Sequence, residues 1–139
     1  MGGPSLVVRL ETAILDACTE QREWPARIAA GVYAGVDFAI ANPVLAEPAS
    51  LQRYEQLIGR LAGFIRVNAP AGSRWPGSTD EAIVAGIVGL VGDHIRIGRV
   101  ERLAELRPDL VLITLLPYLG FTEAQLWANQ VESVRRRDG

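Results

Sequence analysis

DLVLITLLPYLGFTEA, residues 109–124, is almost wholly apolar and carries Pro117 inside a stretch of helical period. It can be a membrane segment, a buried core helix, or a surface that meets another copy of the chain. Its apolar run, Leu110 to Leu116, falls well short of the ~20 residues needed to span a bilayer. The membrane reading therefore fails, and the choice between core and partner surface depends on the rest of the chain.

The 139 residues are enough for one domain with a real core. Apolar residues make up 49% and charged residues 22%, a globular composition rather than a disordered one. The formal net charge is -2, and the basic residues are all arginine. The one basic run is Arg135-Arg136-Arg137; setting those three aside leaves eleven arginines against sixteen acids. An acidic body lacks the basic face that supplies most of the affinity for nucleic acid. Cys18 is the single cysteine, which excludes an internal disulfide and a thiolate metal site. The N-terminus, MGGPSLVVRLE, has no signal-peptide pattern, so a soluble cytoplasmic protein is expected.

Every segment reads at helical period, and none alternates as a strand does. Ser5 can cap a first helix with apolar positions Leu6, Leu10, Ala13, Ile14 and Ala17, and TEQRE is its polar exit. Trp24-Pro25 opens a second helix that Asn42-Pro43 stops, since proline disfavours helix in the residue before it. A turn-like VLAEP leads to a third helix, Ser50 to Val67, striped by Leu51, Tyr54, Ile58, Leu61 and Ile65. After the loop NAPAGSRWPG, Ser78-Thr79-Asp80-Glu81 fits a capping box for a fourth helix that ends at Gly98. VERLAEL is a short amphipathic piece, and Pro108 begins the fifth helix, which Gly120 closes. Thr122 to Gln125 fits a second capping box, for a terminal helix through about Arg135. The fold class is all-α.

Two of these helices look too apolar for a monomer. Ala82 to Gly92 contains no polar side chain, and from Leu110 to Leu116 only Thr114 is polar. A helix apolar on every side must be covered on every side. On the fourth helix Ala82, Ala85, Gly86, Gly89 and Gly92 form a small-residue row that suits close approach of another backbone. Glycine inside a helix costs roughly 1 kcal/mol against alanine, so packing explains the row better than helix stability does. The expectation is a homodimer joined through a four-helix bundle of the last two long helices, with Leu112, Leu116 and Leu119 on the fifth helix completing the seam. The competing expectation places both helices at the centre of one large core.

LRPDLVLITLLPYLGFTEA (106–124) resembles the last helix of the C-terminal domain of TetR-family transcriptional regulators, with its apolar run ending in PYLG. REWPARIAAGVYAGVDFAIANPVLA (22–46) is similar to that family's first effector-domain helix. STDEAIVAGIVGLVGDHIRIG (78–98), followed by VERLAELRPDLV, resembles the penultimate helix and its link to the last. The likeness covers roughly residues 20 to 124 and rests on helix order, spacing and short diffuse motifs. It implies a TetR C-terminal-like domain divided into the end of a connecting helix (1–20), pocket helices and loop (24–77), dimerisation helices (78–120) and a C-terminal extension (121–139). It also implies a small hydrophobic effector, with DNA contacted only through an N-terminal helix-turn-helix that is absent here. SLVVRLETAILDA resembles the tail of the connecting helix, so the chain is read as a fragment, a misplaced start, or a protein without its DNA-binding half.

In such domains the effector pocket is a mostly apolar cavity with a few orienting polar groups. The candidates are Tyr33 and Asp37 on the second helix, Tyr54 and Phe64 on the third, and His94 on the fourth. Gly31 with Gly35, and Gly59 with Gly63, either leave room for a ligand or mark close helix crossings. His94, the only histidine, lacks partners for a metal site and a nucleophile to serve as general base. It can instead orient a ligand or sense pH at the dimer seam. Trp75 is a cavity cover or a loop anchor, and Trp127 packs the C-terminal extension back on the body. With no clustered acid/base, nucleophile or metal set, no enzyme and no cofactor is expected. A stand-alone dimerisation module with neither ligand nor DNA binding is the alternative function.

Overall fold

A computed structural model describes residues 5–47, 51–70 and 78–138. Ser50, Trp75, the side chain of Leu51 and those of the terminal arginines fall outside the described residues. The described residues form seven α-helices and no strand: α1 (Leu6–Thr19), α2 (Trp24–Ala41), α3 (Leu51–Asn68), α4 (Thr79–Arg96), α5 (Val100–Glu105), α6 (Arg107–Leu119) and α7 (Phe121–Asp138). A 3-10 turn, Pro43–Ala46, follows α2.

Local chemistry sets most boundaries. The Ser5 hydroxyl accepts the Val8 N–H at 3.3 Å and caps α1. Proline near the start of α2 and again of α6 sits where a helix has no use for its N–H. Gly98 and Gly120, with φ of +77° and +81°, take conformations that L side chains rarely adopt, so the chain can leave α4 and α6 sharply. α6 runs on through Pro117 to Leu119, two residues later.

Both expected capping boxes are corrected. Ser78 makes no side-chain cap bond, and its backbone is already near helical, with φ -97° and ψ -2°. Asp80 is instead 4% exposed, accepting hydrogen bonds from the Tyr118 hydroxyl and from Arg66 Nε at 2.9 Å. A buried carboxylate needs such partners. Thr122 lies inside α7 rather than ahead of it, because Gly120 turns the chain and the Ala124 N–H already bonds the Gly120 carbonyl.

The helix at the centre is α2. It lies against α1, α6, α7 and α5 and touches α4, burying Ile28, Ala29, Tyr33, Val36 and Ala39. The sequence pointed to α4 and α6 as the helices in need of all-round cover. α6 does bury Leu110, Val111, Thr114, Leu115 and Tyr118, but α4 buries only Asp80 and Val84. Trp24 stacks edge-on against Tyr118, with ring centroids 5.2 Å apart. α7 packs back on α6 and α2 through buried Ala124 and Ala128, with Trp127 against the main core. No described helix is long and apolar enough to cross a membrane.

Candidate functional site

An apolar cavity of about 200 Å³, partly open to solvent, lies among the helices. Its walls come from five helices and the 3-10 turn, α6 contributing Thr114. α1 supplies Leu10, Ile14 and Cys18, and α2 supplies Ile28, Val32 and Val36. Leu45 and Ala46 close it from the turn, while Tyr54, Leu57 and Phe64 face it from α3. α4 lines it with Val84, Val88, Val91 and Ile95, a stripe at spacings of four and three.

Most polar groups in the lining are already satisfied. The Tyr54 hydroxyl donates to the Leu45 carbonyl at 2.7 Å, which ties the turn to α3. Burial pushes the Tyr54 phenol above its usual range. Thr114 Oγ1 donates to the Leu110 carbonyl at 2.7 Å. Burial also pushes the Cys18 thiol up to about 11, opposed by the charge of Arg27 and by the Gly31 N–H bonded to the sulfur. A thiol so raised is neutral and inert at physiological pH.

Among the described residues Arg96 is the one lining residue with a formal charge. Its Nη1 donates to the Ala46 carbonyl at 3.0 Å, and its Nη2 pairs with Asp93 Oδ1. The guanidinium folds back over Gly92, with Nη1 3.3 Å from where a Cβ would stand. Gly92 therefore has work inside the chain, beyond any seam.

The five expected ligand residues are not brought together. Tyr54 and Phe64 line the cavity; Tyr33, Asp37 and His94 do not. Tyr33 and Asp37 face the start of α6, where Arg107 Nη1 donates to Asp37 Oδ1 at 2.7 Å and the guanidinium lies 5.0 Å from the Tyr33 ring centroid. Their one-turn spacing does place them on one face, but that face meets α6, because α2 is covered on several sides. His94 is half-buried, with Nδ1 2.9 Å from the Leu90 carbonyl of its own helix. Among the described residues no three of His, Cys, Asp and Glu converge as a metal site would require.

The expected seam residues divide. Ala82, Ala85, Gly86 and Gly89 are exposed, and nothing lies within 4 Å of a Cβ placed on Gly86 or Gly89. Gly89 and Gly92 also reach the cavity lining. On α6 Leu116 is 39% exposed, while Leu112 and Leu119 pack partly against the main core. The outward position that spacing from Leu116 would have found is Ile113, 49% exposed.

Arg96 and Asp80 were legible only as generic features, a basic last turn and an acidic first turn. Their specific partners, Ala46 and Tyr118, lie 50 and 38 residues away. Comparisons with family models, with curated proteins and with solved structures find no match to this chain.

Proposed function

We propose that the chain is the ligand-sensing and homodimerisation domain of a TetR-like bacterial transcriptional regulator, binding a small, mostly apolar effector and performing no chemistry. The observation that carries this reading is the division of α4. One stripe, Val84, Val88 and Val91, walls the cavity. Another, Ala82, Ala85 and Gly86, is apolar, small and uncovered, and Gly89 borders both. A ligand in the cavity and a second subunit on the small-residue face would press on the same helix, so each can bias the other. α6 touches α4 and adds Ile113 and Leu116, which favours a four-helix seam around a twofold axis.

α1 gives the reading its output. Leu10, Ile14 and Cys18 face the cavity from the helix that resembles the family's connecting helix. A ligand that fits one placement of α1 better than another shifts the population between them. In an intact regulator that shift would reset the spacing of two DNA-reading heads, whose half-sites lie about 34 Å apart.

Native mass spectrometry of the chain tests both halves together. A dimer at micromolar concentration that Ile113→Glu converts to folded monomer supports the seam, and a thermal-shift response to small apolar compounds supports the cavity. A monomer at that concentration removes the dimerisation half. A dimer that no small molecule stabilises leaves the stand-alone dimerisation module.

A further inference from the structure

We infer that the cavity takes an organic carboxylate, with its apolar body among the α1–α4 side chains and its head on Arg96 at the junction of α4 with the 3-10 turn. The inference rests on reading the cavity as a ligand site and adds the chemistry of the occupant.

The walls decide the body. Apart from Arg96, the described lining holds no charge, and the Tyr54 and Thr114 hydroxyls are committed to backbone carbonyls. A polar body would leave its own groups unpaired there, at the desolvation cost of each. The size is also limiting. An apolar cavity of about 150 Å³ admits benzene, so about 200 Å³ suits a single ring or a medium-length alkyl chain.

Arg96 decides the head. Its side chain is 41% exposed, and its guanidinium is held by the Ala46 carbonyl and by the space above Gly92. Its present anionic partner, Asp93, is 67% exposed and three residues away on the same helix. Exposed pairs of that kind contribute little, so a ligand carboxylate can replace Asp93 at small cost. It then gains the paired, charge-assisted hydrogen bonds that a planar guanidinium offers a carboxylate. The C-terminal end of the α4 dipole opposes an anion with roughly half a charge. The full charge of Arg96 in direct contact outweighs it.

Titration calorimetry of the full chain with octanoate, octanol and octylamine, which share one tail, separates head from body. Octanoate should bind about ten-fold or more tighter than octanol, and octylamine weakest. Arg96→Gln should bring octanoate down to the level of octanol, with an unchanged circular dichroism spectrum reporting that the variant is folded. Arg96→Lys should keep part of the preference. Equal binding of octanoate and octanol by the native chain, or a preference that survives Arg96→Gln, overturns the carboxylate assignment and leaves the apolar site standing. Binding of none of the three removes the cavity reading itself.

Discussion

Gly31 and Gly35 on α2 and Gly86 and Gly89 on α4 look alike in sequence: two glycines about a turn apart in an apolar helix. In the folded chain they are opposites. A Cβ on Gly31 would stand 2.7 Å from Cys18 Sγ, and one on Gly35 would stand 3.2 Å from Ile14 Cδ1. Those glycines are where α1 crosses α2. The same test on Gly86 and Gly89 meets nothing within 4 Å. One pair is spent at a helix crossing inside the chain, while the other has open space above it. The difference teaches that a row of small residues specifies closeness to something, and only the fold says to what.

The largest effect expected from breaking this comparison is at the α1–α2 crossing. Gly31→Leu should lower stability by about 3 kcal/mol or more, because the added atoms meet Cys18 and Ile14 at contact distance. Gly86→Leu, in the same urea titration at a concentration where the chain is monomeric, should change stability by less than about 1 kcal/mol. Equal losses at the two sites would end the distinction.

Asp80→Ala comes next, at about 3 kcal/mol, since it strands the Tyr118 hydroxyl and removes the charged partner of Arg66. That buried contact ties the start of α4 to α6 and α3. Asp80→Asn, which keeps an acceptor, should lose clearly less in the same titration. Matching losses would mean that the charge, rather than the hydrogen bonding, holds the helix.

A third effect is smaller and depends on pH. The folded Cys18 thiol titrates at about 11, above its ordinary 9.0, because it is buried at the crossing. The protonated form is thus favoured by folding, so its contribution is whole below pH 9 and declines as pH rises from about 9 to about 11. Chemical denaturation across that range should show the decline, and Cys18→Ser should flatten part of it. The raised Tyr54 phenol leaves a remainder, because it declines in the same direction. An identical profile in Cys18→Ser would place the alkaline loss elsewhere.

The smallest effect sharpens the open face. Gly86→Ala should stabilise the monomer by up to about 1 kcal/mol through helix propensity alone, since the methyl group meets no neighbour. If the face is a seam, sedimentation should show the same change weakening self-association. Stabilisation without any change in association would argue that a partner does not touch Gly86.

Much of the helical layout was legible from local chemistry: Ser5 as a cap, proline at the starts of α2 and α6, Asn42-Pro43 as a stop, Gly98 and Gly120 as turns. Val84, Val88 and Val91 stand at helical spacings of four and three in the sequence, and that stripe is a cavity wall. Less of the site was legible. Tyr54 and Phe64 reached the cavity, while Tyr33 and Asp37 were taken by Arg107, 70 residues beyond Asp37. Acid, hydroxyl and guanidinium groups announce that they need partners without announcing which ones.

By itself, then, the sequence determined where most helices begin and end, that the chain is all-α, and which stripes are apolar, because caps, proline geometry and helical period act within a few residues. Which helix became the centre, and which glycines were used up, only the tertiary structure decided. Asp80 as a buried anchor for Tyr118 and Arg96 in the lining of an apolar cavity belong with them. Those outcomes depend on distances between residues far apart in the chain, set when several apolar stripes are buried together and each helix must yield faces to its neighbours.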